Sequence, residues 1–155
     1  MHLEFKGIDI APLNYWLNRR KNNYPNIVPL NFNGHLNGKI LLTNVYKSLL
    51  LAGNIVVDDF SVLGSQFGNI FINSELDNAK KIVNIKASNN LNSVKMFDAS
   101  GFYDPASKNI DIKVNATKLP IGFLNQLLKT FASDISGFAS GKLNLSGNTD
   151  NLFLT

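Results

Sequence analysis

Apolar and polar residues alternate with a period of two along most of this chain. The cleanest run has Ile110, Ile112, Val114 and Ala116 alternating with Asp111, Lys113 and Asn115. Successive side chains of a strand point to opposite faces, so the run predicts a half-buried strand. The same period holds from Leu30. Leu30, Phe32, Gly34, Leu36 and Gly38 share one face, Ile40 and Leu42 continue it, and Asn31, Asn33, His35 and Asn37 take the other. Further strands are predicted over 3–10 with Gly7 interrupting, over 55–57 and 60–63 around Asp58-Asp59, and over 68–76, 82–88, 94–103 and 109–116. Asp77-Asn78-Ala79-Lys80, Asn89-Asn90-Leu91-Asn92 and Asp104-Pro105-Ala106-Ser107 separate them, and these residue types favour turns. Residues 46–51 fit a helical turn and a strand equally.

Two stretches change period. Leu13, Trp16 and Leu17 fall at helical spacing behind Pro12, which predicts a short amphipathic helix over about 12–21. Leu119, Phe123, Leu124, Leu127, Leu128 and Phe131 repeat the arrangement around Pro120 and predict a second helix over about 119–131. The fold class is therefore mainly β: antiparallel strands with one apolar and one polar face, plus two short helices. A sheet with one apolar face must cover it. A closed sandwich or barrel fits the strand spacing, and so does an open curl covered by helices, lipid or a partner.

Gly34-His35-Leu36-Asn37-Gly38-Lys39-Ile40 is echoed by Gly137-Phe138-Ala139-Ser140-Gly141-Lys142-Leu143, each after a strand and a proline-led helix. Repetition of this kind marks stacked arrays. The chain reads as one segment of a longer repetitive β-protein, in two imperfect units of about 1–100 and 101–155 onward. Gly34, Gly38, Gly137, Gly141 and Gly147 read as bulge, turn or bend positions. Lys142 to Ser146 forms a strand with Leu143 and Leu145 on its apolar face. Gly147 then opens a polar turn through Asn148, Thr149, Asp150 and Asn151 into a last short strand.

The stretch Asp134-Ile135-Ser136-Gly137…Gly141-Lys142-Leu143-Asn144-Leu145-Ser146-Gly147-Asn148-Thr149-Asp150-Asn151 resembles a recurring phrase of the TamB family: Gly-x-x-x-Gly, strand, Ser/Thr-Gly-Thr, turn. These are translocation and assembly module proteins, grouped with the AsmA-like bridge-type lipid transfer proteins. Gly101-Phe102-Tyr103-Asp104-Pro105, Ile110-Asp111-Ile112-Lys113-Val114 and the stretch from Leu119 to Phe131 resemble the unit that precedes the phrase. One departure is Leu152, where the family often has proline. The resemblance covers roughly the last third of the chain. It implies a curved, U-shaped sheet, or β-trough, with an apolar interior lined by Ile110, Ile112, Val114, Leu143 and Leu145. It also implies phospholipid passage between inner and outer membranes and a role in outer-membrane protein assembly or secretion. The expected partners are phospholipid acyl chains, a TamA-type outer-membrane barrel and neighbouring units of the same chain. The expected place is the periplasm of a Gram-negative-type bacterium, with the full-length protein anchored in the inner membrane. A closed β-sandwich acting as a structural or adhesin-type surface module is the alternative.

Composition adds little chemistry. Charged residues are 17% of the chain against 23 asparagines, so the polar faces are largely neutral. The net charge is +4, but the basic residues are scattered and only Arg19-Arg20-Lys21 forms a run. A nucleic-acid partner is not expected, because such binders gather their charge on one face. There is no cysteine, which excludes disulfides and thiolate metal sites. No stretch reaches the roughly 18 to 20 apolar residues of a membrane span, and the amino end lacks the layout of a signal peptide. Any anchor is therefore expected outside this chain. His2 and His35 have no motif context. Asp58-Asp59 would point to opposite faces of a strand, which suits a bulge better than an acid–base pair. A non-enzymatic chain without metal or cofactor is the expectation.

Overall fold

The computed structural model describes residues 1–18, 31–43, 50–127, 134, 136–148 and 151–155. These residues form one antiparallel sheet in which each strand pairs with the next in sequence. The strands are β1 (His2–Asp9), β2 (Phe32–Thr43), β3 (Leu50–Val62), β4 (Ser65–Asp77), β5 (Ile82–Asn90), β6 (Phe97–Asp104), β7 (Asn109–Pro120), β8 (Phe138–Asn148) and β9 (Asn151–Leu154). Helix α1 (Leu13–Asn18) lies between β1 and β2, and α2 (Leu124–Leu127) between β7 and β8. The sheet is unclosed: β1 pairs with β2, β9 with β8, and the two edge strands do not meet. A sandwich needs two sheets packed face to face; the described strands form one.

Register carries the alternation of each strand across the whole sheet. One row of partners reads Leu3, Ile40, Gly53, Ser74, Ile85, Gly101, Ile112, Leu145. The next row of the same face reads Phe5, Gly38, Ile55, Ile72, Ala87, Ala99, Val114, Leu143. Between them, on the opposite face, lies Glu4, Lys39, Asn54, Asn73, Lys86, Ser100, Lys113, Asn144. A slip of one residue in any pairing would place polar groups among the apolar ones, which is what fixes the register.

The connections β1–β2, β3–β4, β5–β6 and β7–β8 fall at one end of the sheet, and the packed core sits there. Ile10, Val57, Phe67 and Ile70 are buried, with Phe32, Phe60, Phe97, Leu119 and Phe123 against them. Phe32 stacks on Phe60 at 6.0 Å, Phe60 meets Phe67 at 6.0 Å, and Phe67 meets Phe123 at 6.3 Å. These spacings suit the offset and tilted arrangements that aromatic rings prefer. Phe123 follows β7 yet touches the start of β4, so the chain just after β7 folds over the apolar face at this end.

Asn89 seals the same end. Its side chain is 2% exposed. Its amide donates to the Phe67 carbonyl at 2.8 Å, and its oxygen accepts from the Met96 and Phe97 N–H groups at 2.9 and 3.0 Å. These bonds satisfy backbone groups where the β5–β6 ladder stops, and burial is tolerable because nothing is left unpaired. At the opposite end aspartates build the turns. Asp77 accepts from the Ala79 and Lys80 N–H groups, both at 3.0 Å, and Asp104 accepts from Ala106 N–H at 2.9 Å and from the Ser107 hydroxyl at 2.7 Å.

Asp58-Asp59 is a bulge: the register shifts between Val57 and Phe60, and Asp59 has φ 52°. Gly7 lies in a register shift between Phe5 and Ile8, as the break in its pattern predicts.

The helices agree with expectation only in part. Leu13–Asn18 is the described part of the helix placed over 12–21, and 19–21 lie outside the described residues. Leu13 and Tyr15 are exposed there. The second helix is corrected further. Leu119 and Pro120 belong to β7, where Leu119 pairs with Ala139 and Pro120 with Phe138, and helical geometry starts only at Leu124. Residues 128–131 lie outside the described set. Leu119 and Phe123 share a four-residue spacing because a strand end and a turn reach the same cluster, not because one helix carries both. The strand predicted over 94–103 begins at Phe97, and Leu91 and Val94 form an isolated bridge before it. Of the ambiguous 46–51 stretch, Leu50 and Leu51 open β3 and 46–49 lie outside the described residues.

Candidate functional site

The apolar face is the feature of this molecule most in need of an explanation. Among the described residues, the buried apolar side chains are Ile10, Val57, Leu63, Phe67, Ile70, Val83 and Met96. Most belong to the packed end. Away from it the same face carries Ile40, Ile55, Ile72, Ile85, Ile110, Ile112, Val114 and Leu145, all half-buried, and Leu143, exposed. Apolar surface left outside a core is often an interaction site.

A furrow of about 370 Å³ lies in this face, lined by Ile40, Ile55, Ile72, Ile85, Tyr103 and Ile110, with Val83 and Ser74 completing it. Its residues come from β2, β3, β4, β5, β6 and β7. The volume is in the range of sites that hold small ligands, and the lining is apolar as such sites are. Among the described residues no group of histidine, cysteine, aspartate and glutamate is placed to hold a metal ion. His35 is exposed on the polar face and Asp58 accepts from the Asn37 amide at 2.7 Å. Apart from Ser74 and Tyr103, which carry hydroxyls, the side chains lining the furrow are aliphatic.

The five residues expected to line a groove fall on this one face. Ile112 pairs with Leu145 and Val114 with Leu143 across β7 and β8, and Ile110 is opposite Gly147. Only Ile110 enters the furrow itself. The other four extend the apolar face beside it. The rest of the lining was not singled out in the sequence. Its signal was the same alternation, but only the pairing of β2 through β7 brings those rows together.

The motif glycines divide into two kinds. Gly38, with φ 144°, lies so close to β3 that a Cβ would overlap the Asn54 carbonyl oxygen. At Gly34, with φ 145°, an added Cβ would stand 2.8 Å from Val57 Cγ1 and 2.9 Å from Asp58 O. Gly137 and Gly141 have nothing within 4 Å of that position. Gly147 remains in β8 with φ 127°. The two copies of the phrase thus occupy comparable places in the topology, each on the strand after a short helix, but only the first packs its glycines against a neighbour. Gly101, which belongs to neither copy, has the same close approach, to Asp111 and Ile112 of β7.

Comparison with known proteins finds no matching family model, no matching curated protein and no matching solved structure. No helix among the described residues is long and apolar enough to cross a membrane.

Proposed function

We propose that this chain is a non-enzymatic segment of a TamB-like envelope protein, whose apolar groove carries phospholipid acyl chains between inner and outer membranes and so supports outer-membrane protein assembly and secretion. The observation that carries the reading is the largely apolar face of a single unclosed sheet, most of it outside the packed core. In this reading the sheet is a U-shaped trough. Support for the curl comes from Ile40 on β2 and Ile110 on β7, which line one furrow. Five inter-strand steps of about 4.8 Å would hold them about 24 Å apart in a flat sheet. Gly38 and Gly101 fit the same reading, since each brings neighbouring backbones closer than a side chain would allow on the apolar side.

The mechanism is physical. Each methylene taken out of water contributes about 0.8 kcal/mol, so an acyl chain crosses an aqueous gap only along an apolar surface. The headgroup stays in water at the open edge. Contacts are repeated and unspecific, because a tight site would trap its cargo. In this reading the protein works in the periplasm. Its partners are a TamA-type outer-membrane barrel and neighbouring units of the same chain.

Photo-crosslinking residues placed at Ile112, Leu143 and Lys113 in cells, followed by lipid analysis, test this. Phospholipid adducts are expected from 112 and 143 and not from 113, which faces the other way. Correctly folded protein without adducts at 112 and 143 overturns the proposal.

A further inference from the structure

The polar face holds a second depression, on the opposite side of β3 to β6 from the furrow. Its volume is about 380 Å³. Phe71 is among its lining residues, 41% exposed, paired across β3 and β5 with Val56 and Ser88. Phe71 and its partner Val56 form a small apolar patch on this face. The rows to either side of it are polar and the core lies on the other face.

The groups around Phe71 converge on the same depression. Lys86 and Ser100 are direct partners on β5 and β6, Ser88 and Asp98 are partners one row along, and Lys95 enters from the β5–β6 connection. The Asp98 carboxylate is neutralised. It takes a hydrogen bond from Asn115 at 3.3 Å and an ion pair from Lys95 at 3.2 Å. Both partners hold its pKa below the ordinary carboxylate value, Asn115 foremost, so it stays ionised and keeps Lys95 occupied. The Asn54 and Asn73 amides are joined at 2.7 Å. Lys86 has no ion-pair partner among the described residues, so the depression carries one uncompensated positive charge beside an aromatic ring.

From this arrangement we infer that the polar face binds an anionic saccharide: a pyranose whose C–H face lies on the Phe71 ring and whose carboxylate or phosphate meets Lys86. The balance of groups selects the ligand class. The Phe71 ring and Val56 offer one apolar platform, and the Ser88 and Ser100 hydroxyls and the Asn54 and Asn73 amides stand around it. That matches a pyranose, which has one apolar C–H face and a rim of hydroxyls. A flat aromatic acid would instead need walls of apolar side chains on both sides, as in most ligand clefts, and this depression is open. The inference does not rest on lipid transport, since the two sites lie on opposite faces.

Amide NMR titration of the whole chain tests it, with glucuronate, a hexose phosphate, glucose, acetate and inorganic phosphate as probes. Both charged sugars are expected to give saturable shifts around Phe71, Ser88 and Ser100, with glucose about tenfold weaker. The tighter of the two charged sugars identifies the anion. Lys86→Gln should remove the advantage of the charged sugars over glucose, and Phe71→Ala should weaken all three. If Phe71→Ala does not fold, Phe71→Leu, which keeps apolar bulk and loses the flat ring, serves instead. Three results each overturn the inference: no saturable shift with any sugar, shifts reproduced by acetate or phosphate alone, or a charged-sugar preference that survives Lys86→Gln.

Discussion

At the scale of single residues, the clearest dependence is on Asn89. Three backbone groups, one on β4 and two where β6 begins, rely on its one side chain. Asn89→Ala leaves them buried and unpaired, and should destabilise the fold by about 2–4 kcal/mol, read as a lowered urea midpoint. Asn89→Leu fills the volume and should do no better. Glycine substitutions should divide by position. Gly38→Ala meets the Asn54 carbonyl and adopts a φ that disfavours a side chain, so it should cost more than about 1 kcal/mol. Gly141→Ala points into open space and should lie within about 0.5 kcal/mol of neutral. The turn aspartate Asp104 gives a pH prediction. The Ser107 hydroxyl, then the Ala106 N–H, hold its pKa below the ordinary carboxylate value. A depressed folded pKa means that its contribution to stability is complete above the unfolded value and is lost as pH falls through the folded one. A carboxyl NMR titration should find its midpoint below that of a free aspartate, and Ser107→Ala should move it back upward.

At the scale of elements, the strands were legible and the helices only partly so. Ile110 to Ala116 alternate without exception, and β7 stands where that pattern places it. Gly7 and Asp58-Asp59 broke their patterns, and each lies at a register shift. The region around Pro120 misled because four-residue spacing arises whenever a strand end and the following turn feed one cluster. Nothing local in Leu119 or Phe123 distinguishes that from a helix. The pairing of β2 with β3 through β7 was not legible either, since each alternating strand specifies its own faces but not its neighbours. The five predicted lining residues therefore fall on the face that holds the furrow, while most of the furrow itself went unnamed. The two regions of that face should respond differently to mutation. Ile70→Ala removes a buried side chain and should cost about 2–5 kcal/mol. Leu143→Asn alters a side chain that is 41% exposed and should cost under about 1 kcal/mol, while weakening hydrocarbon binding.

At the scale of the whole molecule, one sheet presents two unlike surfaces. One end of its apolar face is closed by Ile10, the phenylalanine cluster and the turn through Phe123. The remainder is lined but not filled by the described residues, and it holds the furrow between β2 and β7. A sheet left in this state is stable as a fold only where its packed end and its ladders suffice, and it gains stability from whatever covers the rest. The polar face, with the Phe71 depression, is free to meet a different partner. The central claim is that hydrocarbon completes the apolar face. Calorimetric titration of the chain with lysophospholipids of increasing acyl length, each below its micelle concentration, tests that most directly. The account predicts that binding strengthens with every added methylene, by up to about 0.8 kcal/mol each, and that Leu143→Asn and Ile112→Asn flatten the slope. Binding that is absent, or that does not change with acyl length, would contradict it.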